Sequence, residues 1–134
     1  MMGLRITGKP IIRDGTYFGS NRVEISDGCF VNHQCYFDGS EWVRLGERVQ
    51  VAPRVTFLTS THEIGGSDCR AGADIAKPIT IESGCWIGAG SIIFPGVRVA
   101  EGCVIAAGSV VMHDTAPQGL YAGSPAVRKD RLLP

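Results

Sequence analysis

The amino-acid sequence predicts an all-β fold, a parallel β-helix solenoid, on three observations. β-Branched aliphatics recur every six residues, small residues follow them at plus four, and glycines follow them at plus three. The aliphatic column is Ile81, Ile87, Ile93, Val99, Ile105 and Val111. The small column is Cys85, Ser91, Val97, Cys103, Ser109 and Thr115, and the glycine column is Gly84, Gly90, Gly96, Gly102 and Gly108. A 3.6-residue helix would smear a six-residue stripe around its surface. A flat antiparallel sheet wants alternation of period two and Asn-Gly turns, which are absent. A short strand followed by a tight corner fits the period. Three such sides close a triangular coil with the aliphatics inward, the small residues filling corner space and the glycines supplying φ > 0. Stacked coils then pair as parallel strands about 4.8 Å apart.

The elements follow in chain order. Ile25, Val31 and Phe37 open the repeat, with Cys29 and Cys35 at plus four after the first two. A two-residue slip falls near Asp38-Gly39-Ser40-Glu41-Trp42, where Asp38-Gly39 also reads as a corner turn. The register resumes at Leu45, Val51 and Phe57, with Val49, Val55 and Thr61 expected in the small column. The largest interruption is EIGGSDCRAGADIAKP, about 63–78, directly after His62. A long excursion from a strict solenoid predicts a protruding, functional loop. The period ends near 117, and Gly123 and Pro125 punctuate the tail. Its basic Arg128 and Lys129 are placed either to cap the last coil or to meet a phosphate. The chain reads as one domain, 1–134, of about six coils. Open end coils and flat faces favour self-association.

Composition narrows the function. Lys+Arg and Asp+Glu balance at 13 each, which argues against a nucleic-acid or membrane-surface partner held by bulk charge. No run of apolar residues is long enough to span a bilayer, and MMGLRITGKP lacks the apolar core of a signal peptide, so a cytoplasmic protein is expected. Five cysteines without a CxxC pair argue against a disulfide framework or zinc knuckle. Most fall in the inward column, where they would be inert, and Cys69 in the loop is the exception. His33, His62 and His113 are too scattered to suggest a zinc site, so no metal is expected.

Several runs carry a family resemblance: Leu45-Gly46 with Val51-Ala52-Pro53, Thr59-Ser60-Thr61-His62, and Lys77-Pro78-Ile79-Thr80-Ile81. Trp86-Ile87-Gly88-Ala89-Gly90, Pro95-Gly96-Val97, Ala107-Gly108-Ser109-Val110-Val111 and Ala122-Gly123-Ser124-Pro125-Ala126 continue it. Together they resemble the hexapeptide-repeat acyltransferases, in particular the maltose, galactoside and exopolysaccharide O-acetyltransferases. That resemblance implies a left-handed coil, a homotrimer with active sites between subunits, and acetyl-CoA as donor. It makes His62 the general base and aims the backbone N–H of Ala89 at the thioester carbonyl. It lays Trp86, Ala107, Gly123, Ser124 and Pro125 along the pantetheine and nucleotide, with Arg128 and Lys129 as candidates for the phosphates. It turns Asn32 and Asp38 toward the acceptor. The sequence departs from the family at Val127 and Met112-His113, where basic residue or Thr-Lys usage is common, and in lacking the N-terminal helical segment of maltose-type enzymes.

The chemistry suits these residues. An alcohol must lose its proton as it attacks a thioester, and histidine titrates in the right range to take it. A backbone N–H at a Gly-flanked position can meet the developing oxyanion. The expected reaction is direct acetyl transfer to a hydroxyl of a sugar or similar small acceptor. Antibiotic hydroxyls and nucleotide-sugar amines are the alternative acceptors. A non-catalytic β-helix scaffold is the alternative of another class.

Overall fold

A computed structural model describes residues 3–133; Met1, Met2 and Pro134, the ends of the expected domain, lie outside the described residues. The chain is a left-handed parallel β-helix of about six turns, all-β as the repeat predicts, in the form of a triangular prism. Face A stacks Arg5–Ile6, Val23–Ile25, Val43–Leu45, Ile79–Ile81 and Arg98–Val99. Face B stacks Ile11–Ile12, Phe30–Val31, Gln50–Val51, Trp86–Ile87, Val104–Ile105 and Gly119–Gly123. Face C stacks Tyr17–Phe18, Tyr36–Phe37, Thr56–Phe57, Ile92–Ile93 and Val110–Val111.

The three columns take their expected places. Ile81, Ile87, Ile93, Val99, Ile105 and Val111 are buried inside the prism, as are Cys85, Ser91, Val97, Cys103, Ser109 and Thr115 at its corners. Gly84, Gly90, Gly96, Gly102 and Gly108 all have positive φ, the conformation that a Cβ disfavours. Phe18, Phe37 and Phe57 stack along the inside of face C with centroids 4.9 and 4.6 Å apart. Outward residues differ by face. Face A carries Arg5, Glu24, Arg44, Thr80 and Arg98 in one row, knitted by Arg5–Glu24 at 3.1 Å and Arg44–Glu24 at 3.2 Å. Faces B and C expose Ile11, Trp86, Tyr17 and Tyr36.

One small-column position differs from expectation. Thr61 does not join the small column: it is exposed, and Thr59 takes the buried corner instead at 0% exposure. The chain leaves the prism two residues early because Asp38 holds Thr59 and Ser60, and the outgoing strand then runs free of the core. The excursion protrudes as expected and is built as a hairpin. Ser60–Ile64 and Ala71–Ala76 form an antiparallel hairpin with a register irregularity between His62 and Ile64. The tail is a second hairpin, with Ala126–Arg131 returning antiparallel on Gly119–Gly123. Arg128 and Lys129 therefore lie in an exposed edge strand, while Tyr121 closes the last coil by accepting the Ala116 N–H at 2.8 Å.

At the other end no described residue covers the first coil. Its inward residues Ile6 and Ile12 are 44% and 36% exposed, whereas their counterparts Ile25 and Val31 one coil on are buried.

Candidate active site

The edge between faces B and C is a ladder of tight corners. Gly90 donates to the Pro53 carbonyl at 3.0 Å, Arg54 to His33 at 3.0 Å, and Gly108 to Ala89 at 2.8 Å. The backbone nitrogen preceding the positive-φ position is used differently along the ladder. His33 spends its N–H on the Asn32 side chain at 2.8 Å, and Pro53 has none to give. Among the described residues, the N–H groups of Ala89 and Ala107 have no acceptor, and both residues are exposed. Unpaired backbone donors on a rigid corner can meet a carbonyl oxygen or an amide without reorganising. The backbone here is also crowded: a Cβ at Gly88 would lie 2.5 Å from the Ala107 nitrogen, so only glycine lets these coils approach. A cavity of about 550 Å³ lies along this edge, lined by His33, Gln34, Pro53, Arg54, Ala89 and Gly90.

His62 sits on the hairpin that springs from the edge between faces C and A. Its Nδ1 lies 3.1 Å from the Gly72 carbonyl and 3.1 Å from Asp74 Oδ1, both on the returning strand. A carbonyl and a carboxylate can only accept, so Nδ1 carries a proton and Nε2 of the neutral ring keeps its lone pair. The ring is about half exposed, so that lone pair is reachable from outside the chain. The hairpin base is anchored by Asp38, whose Oδ2 accepts from the Thr59 N–H at 3.2 Å, the Thr59 hydroxyl at 3.0 Å and the Ser60 hydroxyl. Lys77 donates to the Thr59 carbonyl at 2.9 Å and closes the base from the other side.

The other expected residues are dispersed. Asn32 is half-buried, with its side chain engaged by the His33 N–H, and Trp86 is 56% exposed on face B. Gly123 donates to the Ser109 hydroxyl at 3.3 Å, and Ser124, Pro125, Arg128 and Lys129 are exposed on the tail hairpin. Within one chain, His62 does not line the Ala89 cavity; face C separates the two edges. Asp74 and Arg54 were not singled out by sequence. Asp74 could have been suspected only by assuming a hairpin that pairs it with His62. Four thiols, Cys29, Cys35, Cys85 and Cys103, are buried, and Cys69 on the hairpin is exposed. Burial pushes the Cys85 thiol up to about 12 and raises those of Cys29 and Cys35, which makes all three poor nucleophiles. Among the described residues, no group of three or more His, Cys, Asp or Glu is placed to hold a metal ion. No helix among them is long and apolar enough to cross a membrane.

A three-faced parallel coil with glycine corners and an outlying hairpin defines a hexapeptide-repeat β-helix protein. Residues 78–112 match the family model described as the hexapeptide repeat of succinyl-transferase. Galactoside O-acetyltransferase of Lactococcus lactis subsp. lactis is 32% identical over 86% of this chain and 56% of its own length. Nodulation protein L of Rhizobium meliloti is 38% identical over 81% of this chain and 59% of its own. A hexapeptide-repeat acetyltransferase of Vibrio cholerae, solved in complex with acetyl coenzyme A, superposes with a TM-score of 0.90 at 29% identity, covering 98% of this chain and 73% of that one. The chain thus carries the hexapeptide repeat and is similar along most of its length to acetyltransferases built on it. The chain spans about half the length of the curated relatives it matches, 47% and 64% of two of them.

Proposed function

We propose that this chain is an acetyltransferase that moves the acetyl group of acetyl-CoA to a hydroxyl of a sugar or similar small acceptor, acting in the cytoplasm as a homotrimer. The observation that carries the reading is the histidine on the hairpin. Two acceptor-only groups hold the Nδ1 proton of His62 and leave Nε2 free as a base. The acceptor hydroxyl gives its proton to Nε2 while its oxygen attacks the thioester carbonyl. The oxyanion that forms accepts the free N–H of Ala89. Collapse breaks the carbon–sulfur bond, and the departing thiolate takes the proton back from Nε2. The products are the acetyl ester and CoA with a free thiol.

His62 and Ala89 lie on different edges of one prism, so a site using both forms most simply where neighbouring prisms meet. The ladder supplies the rest of the path. Ala107, one coil beyond Ala89, offers a second free N–H to an amide of the pantetheine arm. Trp86, Gly123, Ser124 and Pro125 lie toward the nucleotide, and Arg128 and Lys129 are exposed cations suited to its phosphates. Asn32 helps to line the acceptor side, and Asp38 serves chiefly by anchoring the hairpin.

Labelled acetyl-CoA with a panel of sugars, nucleotide sugars and antibiotics tests the reading. Wild type should acetylate at least one acceptor, and His62→Ala should lose about 10²-fold or more. Equal activity of the two proteins would remove His62 from the mechanism. Failure to bind acetyl-CoA at all would leave a non-catalytic scaffold.

A further inference from the structure

We propose that Arg54 selects acceptors bearing a negative charge, a carboxylate or phosphate, in the cavity beside Ala89. This rests on the acetyl-transfer reading above and adds the substrate class. At the edge between faces B and C, the positive-φ rungs are Gly15, Gln34, Arg54, Gly90 and Gly108. Three of the five are glycine, as the backbone prefers. Gln34 at φ 60 and Arg54 at φ 59 hold a conformation in which a side chain is penalised. Strain kept at two neighbouring rungs points to a use for the side chains placed there.

The two side chains are tied to each other. Arg54 Nε donates to Gln34 Oε1 at 2.9 Å, which fixes the plane of the guanidinium and leaves its terminal nitrogens free. No carboxylate lies within ion-pair distance of Arg54 among the described residues. The comparison with Arg48 is direct. It has the same strained φ, at 55, on the neighbouring edge, but its guanidinium is neutralised by Glu47 at 3.1 Å. Asp14, the carboxylate at the Arg54 edge, is turned to His33 Nδ1 at 3.5 Å. Arg54 therefore presents a fixed, unneutralised, two-pronged donor on the wall of the cavity that also holds Ala89. Planar paired donors of this kind recognise carboxylate and phosphate oxygens in a way that a neutral hydroxyl cannot match. The order of rungs places it on the far side of Ala89 from Ala107, so a donor running past Ala107 leaves the Arg54 end for the acceptor.

The test uses matched acceptors: galactose against galacturonate, glucose against glucuronate, and N-acetylglucosamine against its 1-phosphate. Wild type should favour the charged member of at least one pair by about tenfold or more in kcat/KM, the worth of one good charged contact. Arg54→Gln should erase that preference and leave the KM for acetyl-CoA unchanged. Arg54→Gly should do the same with a raised melting temperature, since glycine relieves the strained rung and guards against a folding artefact. Equal or reversed preference in wild type overturns the proposal, as does a preference that survives both substitutions. So does acetyl-CoA-loaded protein that neither acetylates nor binds any charged member by calorimetry. Protein that binds no acetyl-CoA brings down the acetyl-transfer reading itself, and this proposal with it.

Discussion

At the level of single residues, the site depends on where protons and donors are left over. His62 keeps its Nε2 lone pair because two neighbours compete for Nδ1–H, and they are not equivalent. Asp74 is 90% exposed, so its charge is screened, while the Gly72 carbonyl stays in place whatever side chain stands at 74. Asp74→Asn should therefore lower kcat/KM only by about 2- to 10-fold with the tautomer retained, far less than loss of the base itself. A drop as deep as that of His62→Ala would make Asp74 a full partner in proton transfer. The thiols give a cleaner test. With Cys85 pushed up to about 12 and Cys29, Cys35 and Cys103 buried, a thiol reagent at pH 8 should modify one cysteine of the native protein, Cys69, and all five after denaturation. The inward position of those four thiols was legible in sequence because they fall on the six-residue column. Arg54 was not, since a periodicity marks where a corner lies but not that its strained rung is occupied by a side chain with no counter-charge.

At the level of elements, the prism and the hairpin follow different rules. Apart from the closing Gly119–Gly123, the prism strands are two or three residues long, and their order comes from inward aliphatics stacked coil upon coil. The hairpin has little such packing; Ile64 near its turn is 88% exposed. Its base is instead pinned by one carboxylate, Asp38, through the Thr59 and Ser60 bonds. Asp38→Ala should thus leave the unfolding midpoint of the solenoid within about 1–2 kcal/mol of wild type. It should also speed amide exchange across 60–76 and reduce turnover. Unchanged exchange there would show that the hairpin is ordered by other contacts. The same residue explains the misplaced corner. The period assigned Thr61 to the core because elsewhere a small inward residue follows each aliphatic at plus four, and no pattern of hydrophobicity reveals a carboxylate pulling the chain out two residues sooner. Hairpin pairing was equally hidden, because Ala71–Ala76 holds a single large aliphatic, Ile75, among small and polar residues and shows no clear period-two face.

At the level of the whole molecule, the prism is sided. Face A is a charged row tied into ion pairs, whereas faces B and C expose aromatic and aliphatic side chains. Apolar outward residues on two of three faces suit packing of prism against prism, which the proposed mechanism requires because His62 and Ala89 lie on different edges. Light scattering should return a mass of about 43 kDa, three times the 14.3 kDa chain, if the assembly is the trimer proposed. A monomeric mass together with full activity would require His62 to reach Ala89 across face C of its own chain. Coil number, face order and the location of the excursion were all legible from the repeat, since each is a matter of counting residues.

That counting also governs what the hairpin does to the stack. Ile81 pairs with Val99, 18 positions on, and Leu45 pairs with Ile81, 36 positions on. The detour consumes one full coil's length of chain and returns it to the next strand in register, as though nothing had been inserted. An exchangeable cassette has this property. Hairpins of other lengths and sequences should graft between Thr59 and Lys77 with the cylinder undisturbed, so that, on the acetyl-transfer reading proposed above, the surroundings of the base change with one short segment while the corner ladder across face C is inherited intact.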